Sequence, residues 1–318
     1  MSPSISVEQA AMSVKSVAAH ALRKRLDAVW DEVPVAARST HDEPQRIHRL
    51  RVATRRALAA IEVFHSVIPR KRARWFVRRL HELRRAAGKA RDLDVLAHRF
   101  YETVPISTKQ TAPLSGISAQ TRARTRLLAM LACQRDEACR PISVVYEQLL
   151  NADWSRRVEQ LLEELCNQQD SDCEESFGDY GRRHFKPMVE SFFAITDRRL
   201  HGINQLHAFR IKVKQLRYTM EVFLSVFQPL ERVRCCDALE KVQETLGTFT
   251  DNAAAADRLR RLENCSATDW DRSILENLLR ETSQQTDVAR REFVTWWSAS
   301  RRRSLKRKLT RVLRTQSA

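Results

Sequence analysis

Apolar positions recur along this chain at the three- and four-residue spacing of an α-helix. Near the end, Leu305, Leu309 and Val312 fall on one side of a segment otherwise rich in bases. Leu, Ala, Arg and Glu dominate the long segments, and all are good helix formers. Six Gly and nine Pro leave little punctuation for the tight turns of a β-rich fold. The pattern predicts helices near 5–33, 44–67, 70–100 with a break at Gly88, and 118–166, then near 177–198, 204–227, 229–262 and 270–314. Asp42-Glu43-Pro44 reads as a helix start, with Pro in the first turn and acids near the positive dipole end. Thr103–Ser118, with two Pro and one Gly, reads as a loop.

The second half of the chain repeats the first at a constant offset of 159 residues. IHRLRVATRRALAAIEVFHSV (Ile47–Val67) falls on LHAFRIKVKQLRYTMEVFLSV (Leu206–Val226) without a gap. His48 meets His207, Arg51 meets Arg210, Arg55 meets Lys214, and Glu62-Val63-Phe64 meets Glu221-Val222-Phe223. The register continues through Leu80 on Leu239, Gly88 on Gly247 and Asp92 on Asp251. Shared apolar periodicity could align Leu with Val, but not His, Gly, Asp and Glu together. Each half therefore forms one unit: residues 1–166, an acidic linker at 167–181 (NQQDSDCEESFGDYG), and residues 182–318. Four amphipathic helices can bury their apolar stripes against one another, so the expected fold is all-α. It consists of two four-helix bundles related by a pseudo-two-fold axis and docked across the short linker.

Charge sharpens this picture. The net charge of +17 is concentrated at the ends, with +11 in residues 1–100 and +9 in residues 290–318. Such asymmetry points to an anionic partner. On the first motif helix His48, Arg51, Arg55 and Glu62 stand at +0, +3, +7 and +14 and share one face. On the second, His207, Arg210, Lys214, Arg217 and Glu221 stand at +0, +3, +7, +10 and +14. The first copy has Leu58 at +10 and adds Arg56 at +8, toward one flank. Guanidinium forks pair with phosphate oxygens, Lys supplies a mobile point charge, and imidazole donates whether neutral or charged. Like charges in such a row repel by about 1 kcal/mol per close pair in water. Glu62 and Glu221, read as structural partners of a base, can relieve only one or two of them. A polyanion would relieve the rest. Gly88 and Gly247 read as relieving close packing or ending a helix, and Asp92 and Asp251 as N-caps or partners of an Arg such as Arg91.

These residues resemble the CHAD family, the conserved histidine α-helical domain. HAFRIKVKQLRYTMEVF (His207–Phe223) with LGTFTD (Leu246–Asp251) fits the family pattern closely, and HRLRVATRRALAAIEVF (His48–Phe64) with GKARDLDV (Gly88–Val95) fits except at Leu58. The resemblance covers essentially the whole chain. It implies two pseudo-symmetric four-helix bundles around a basic central groove or pore, and binding of inorganic polyphosphate, often with attachment to polyphosphate granules. By the same likeness the ligand contacts are His48, Arg51, Arg55, His207, Arg210, Lys214 and Arg217. Arg23, Arg182 and Arg183 on the preceding helices and Arg78, Arg85 and Arg91 on the following one are added at its edge.

Other functions find less in the sequence. The phosphate loop, zincin, nucleophile-elbow and dinucleotide signatures do not occur. One Glu-x-x-His, Glu62–His65, has Leu224 in place of its His in the second copy, which disfavours a di-iron bundle. The seven cysteines form no CxxC pair and read as reduced thiols of a cytoplasmic protein. No cofactor, metal or catalysis is expected. The alternative is a nucleic-acid binder that uses the groove and the basic tail Arg301–Ala318, although the paired motif is poor in aromatics for stacking. No secretory leader and no apolar run long enough to insert in a membrane is read.

Overall fold

The computed structural model describes residues 10–103, 119–167, 175–196, 200, 202–223, 229–263 and 269–314. These residues form α1 (Val14–Ala37), α2 (Pro44–Val63), α3 (Arg70–Thr103), α4 (Ala119–Glu137), α5 (Arg140–Asn151) and α6 (Trp154–Asn167). There follow α7 (Phe177–Thr196), α8 (Ile203–Val222), α9 (Pro229–Glu263), α10 (Asp269–Trp296) and α11 (Ala299–Arg314). The chain is all-α. No helix among the described residues is long and apolar enough to cross a membrane.

The 159-residue offset reappears in the helix bounds. Shifted by it, α2 coincides with α8, and α3 begins where α9 begins. Pro44 sits in the first turn of α2, as the Asp42-Glu43-Pro44 reading requires, although Glu43 makes no side-chain cap bond. The bounds depart from expectation elsewhere. α3 and α9 run unbroken through Gly88 and Gly247, so neither glycine ends a helix. Nor do they relieve crowding: a Cβ on Gly88 would meet Arg51 Nη1 at 3.8 Å, an ordinary contact, and one on Gly247 would meet nothing within 4 Å.

The fourth helix expected in each half is broken. Residues 118–166 divide at Arg140-Pro141, with Pro in the first turn of α5, and again at Asp153. Asp153 takes a φ of 52° and accepts the Arg156 amide on Oδ1 at 3.2 Å. An aspartate tolerates that left-handed backbone and its carboxylate starts the next helix. Residues 270–314 divide after Trp296, where Ser298 Oγ accepts the Arg301 amide at 3.4 Å. The helix expected near 177–198 does begin at Phe177 and overlaps the end of the tract read as a linker, because Phe177 and Tyr180 are core residues. The expected loop falls outside the described residues from position 104 on.

One continuous apolar core runs through both halves. At the joint the Phe64 ring lies 5.8 Å from Phe177, and Phe177 lies 5.7 Å from Phe223, the residue equivalent to Phe64. Tyr180 donates its hydroxyl to the Val63 carbonyl at 2.7 Å. α2 packs on α8 and α3 on α9, so the two motif helices and their successors stand together at the centre. At the periphery, Arg135 is 3% exposed and donates to Asp94 Oδ1 at 3.0 Å and to the Ser39 carbonyl and hydroxyl at 2.7 Å each. This tie anchors α4 to α3 and to the end of α1.

Candidate functional site

α2, α3, α8 and α9 enclose a cavity of about 1250 Å³. Its wall brings together His48, Arg51 and Arg55 of α2 with His207, Arg210 and Lys214 of α8. The reason is local: +0, +3, +7 and +11 stay within about 80° of one another on a helix, so one stripe of each helix faces the cavity. Tyr218 and Ala59 occupy +11. The two histidines are exposed at the rim, and Arg51, Arg55, Arg210 and Lys214 are half-buried below them.

Positions +8 and +10 lie about 80° to either side of +0, on the flanks of that stripe, and Arg56 and Arg217 there are drawn to other partners. Arg56 donates to Glu221 Oε2 at 2.8 Å across the joint between halves. Arg217 donates to Glu221 Oε1 and to Gln243 Oε1, each at 3.0 Å, and covers the Tyr218 ring at 4.6 Å. Neither lines the cavity, whereas Leu58 does. The Leu58 departure therefore removes no cation from the wall, since its counterpart Arg217 faces away. Each motif helix contributes one imidazole and two bases.

Of the residues added by family likeness, Arg78 and Arg91 line the cavity. The others do not. Arg23 is clamped by both Glu159 oxygens at 2.5 and 2.6 Å. Arg182 pairs with Asp179 at 2.8 Å, and Arg183 with Glu175. Arg85 faces a separate recess with Glu82, Lys89, Glu137 and Arg140. Residues not anticipated from the motif are Arg74, His81 and Arg84 on α3, and His65 just beyond α2. The signal for the α3 set was available in the sequence, since 74, 78, 81, 84, 91 and 95 recur at helical spacing. Their counterparts 159 residues on are Val233, Asp237, Glu240, Gln243, Thr250 and Ala254. The positive wall is therefore α3, and α9 opposite it is neutral or acidic.

The cations crowd one another. Burial first, then Arg210 and Arg55, brings the Lys214 ammonium down from 10.5 to about 7, with Asp251 opposing. Burial, then Arg55, lowers Arg51 from its ordinary value to about 10, against Asp92. Burial and then Arg55 also lower Arg84, and burial lowers Arg210 despite Asp251 beside it. His48 is held below 6.5 by partial burial and then by Arg91, Arg55, Lys214 and Arg51. Arg55 of the first half thus acts on Arg210 and Lys214 of the second, so the two motifs form one electrostatic unit.

The cavity's acids are already engaged. Asp251 accepts from Arg210 Nη2 at 2.9 Å, Asp92 pairs with Arg258 of the other half at 3.4 Å, and Glu62 accepts from Gln215 at 2.5 Å. Asp92 and Asp251 lie mid-helix and cap nothing. Arg51 Nη1 donates to the Arg84 carbonyl at 3.0 Å, which fixes its guanidinium against α3. Arg210 Nε is buried without a partner. Eight Lys/Arg against three carboxylates leave a net excess of positive charge on the wall, unshielded by protein.

The family model described as "CHAD domain" matches residues 20–260. Among solved structures, the chain is similar to the crystal structure of the CHAD domain from the plant Ricinus communis. The two are 19% identical, with 93% of this chain and 95% of that one covered and a TM-score of 0.66. It is also similar to PptA from Streptomyces chartreusis, at 14% identity, 90% and 99% coverage and a TM-score of 0.59. At these identities the likeness is one of fold. No curated protein sequence matches.

Proposed function

We propose that this chain, which belongs to the CHAD domain family, holds inorganic polyphosphate in the central cavity without catalysing a reaction on it. The observation that carries the reading is the convergence of His48, Arg51, Arg55, His207, Arg210 and Lys214 from two sequence repeats on one cavity. A flexible chain of phosphates would satisfy several guanidinium forks at once and offset repulsion that the protein leaves uncompensated. The three cavity carboxylates serve as partners of Arg or Gln side chains, which suits binding better than acid–base or metal chemistry. Retention on polyphosphate granules in the cytoplasm would follow from such capture. A nucleic-acid strand fits this wall less well, because Tyr218 is already covered by Arg217 and offers no open stacking platform.

Calorimetric titration with polyphosphates of several lengths, beside DNA and RNA, tests the reading. Polyphosphate is expected to bind more tightly than duplex DNA at matched phosphate concentration, with affinity falling steeply as salt rises. Arg210→Glu with Lys214→Glu is expected to weaken binding roughly a hundredfold or more while helicity persists, since charge-assisted hydrogen bonds contribute ~1.5–3 kcal/mol each. Tighter DNA binding by the wild type, or undiminished polyphosphate binding by the variant, would discard the proposal.

A further inference from the structure

We infer that α11 is a second polyanion site, separate from the cavity, that docks on the phosphate backbone of duplex nucleic acid. α11 lies beyond the residues matched by the family model. It carries eight Lys/Arg and no acid in 16 residues. Leu305, Leu309 and Val312 bury its apolar side in the core against α7 and α9. On its outer flank Arg303, Lys306, Arg307, Thr310 and Arg311 line a shallow groove of about 380 Å³. These residues stand at +0, +3, +4, +7 and +8, one face of the helix, and none of them lines the central cavity.

Four exposed cations in that row share little acid. Arg311 Nε lies 3.7 Å from Glu231, which is itself occupied by Arg234 at 3.0 Å. The Lys306 ammonium lies 5.6 Å from the Phe193 ring centroid, a cation–π contact that positions it without neutralising its charge, and the side chain stays exposed. From Arg303 to Arg311 the row spans about 12 Å, close to the reach of three or four phosphates of one strand at ~3.4 Å each along the duplex axis.

The choice of occupant follows from what the helix lacks. A membrane-surface helix needs an apolar face to lower into the lipid, but Leu305, Leu309 and Val312 of α11 are already inside the core. A single strand needs aromatic platforms, and the nearby Trp296 is covered by Arg301 at 4.8 Å. A rigid backbone of regularly spaced phosphates asks only for a row of cations on a fixed element.

Anisotropy of a short labelled DNA duplex with the full chain tests this, with long-chain polyphosphate and phosphatidylserine vesicles as parallel probes. Four phosphate contacts predict a salt slope near −3.6, so affinity falls about tenfold when salt doubles. Arg303→Glu with Arg307→Glu is expected to weaken duplex binding at least about tenfold and to reduce the slope by about two, with polyphosphate affinity unchanged. The cavity variant Arg210→Glu/Lys214→Glu is expected to do the reverse. Where the charge reversal disturbs folding by circular dichroism, Arg303→Gln with Arg307→Gln replaces it. Wild-type duplex affinity in the α11 variant, parallel loss of polyphosphate binding, or vesicle binding in place of duplex binding each overturns the inference. Failure of polyphosphate binding alone would count against the cavity and leave α11 untouched.

Discussion

Lys214 makes polyphosphate capture dependent on pH in a direction that can be worked out beforehand. In the free protein its ammonium titrates at about 7, because burial and then Arg210 and Arg55 disfavour the charge. A phosphate chain beside it reverses the balance and returns it toward 10.5. The bound state then carries more protons than the free one, so affinity is highest below pH 7 and falls as pH rises through it. At pH 7 half of Lys214 must take up a proton on binding, and at pH 9 nearly all of it must. The resulting loss of affinity between pH 7 and 9 is up to about fiftyfold from this one group. His48, held below 6.5 by burial and then by its cationic neighbours, adds a second limb at lower pH. Lys214→Arg keeps the charge and removes the titration, so its affinity should change little between pH 7 and 9. Calorimetry in pairs of buffers with different ionisation enthalpies reads both the affinity and the uptake of about half a proton at pH 7. A flat wild-type profile across that range, or an identical slope in Lys214→Arg, would refute the reasoning.

Three further outcomes are expected. Lys214→Met should stabilise the ligand-free protein at pH 6, since a shift from 10.5 to about 7 corresponds to a penalty on the order of 5 kcal/mol before relaxation. That penalty is fully present below pH 7 and disappears as pH climbs toward 10.5, so thermal melts at pH 6 and 9 should show a shrinking gain. Gly247→Ala should raise stability by about 0.5–1 kcal/mol, because the glycine sits mid-helix with nothing within 4 Å of an added Cβ; a lower melting temperature would contradict the open space described. Arg135→Met should cost about 3–5 kcal/mol by stranding Asp94. Burial already holds the Asp94 carboxyl above its ordinary value. The loss should therefore shrink as pH falls and Asp94 protonates in the variant, and denaturant melts at two pH values check it.

The helices were legible because helical spacing of apolar residues and the near absence of Gly leave few alternatives. The repeat was legible because His, Gly, Asp and Glu recur in register. Reading α3 at the same spacing would have added Arg74, His81 and Arg84, and comparison with Val233, Glu240 and Gln243 would have revealed the unequal walls. The breaks at Pro141 and Asp153 were harder, since propensity favours continuing a helix that tertiary packing bends.

The sequence by itself determined that two equivalent helices each carry an imidazole and two bases on one stripe, for that follows from 100° per residue and nothing else. Only the tertiary structure decided that the stripes face each other, through the Phe64, Phe177 and Phe223 joint. It also decided which edge positions are lost to the interior. Glu221 collects Arg56 from one half and Arg217 from the other, because a carboxylate at the joint lowers in energy only when cations reach it. That pairing across 165 residues of chain is invisible to any local reading. It leaves Arg51, Arg55, Arg210 and Lys214 as the deep bases with only Asp92 and Asp251 for company.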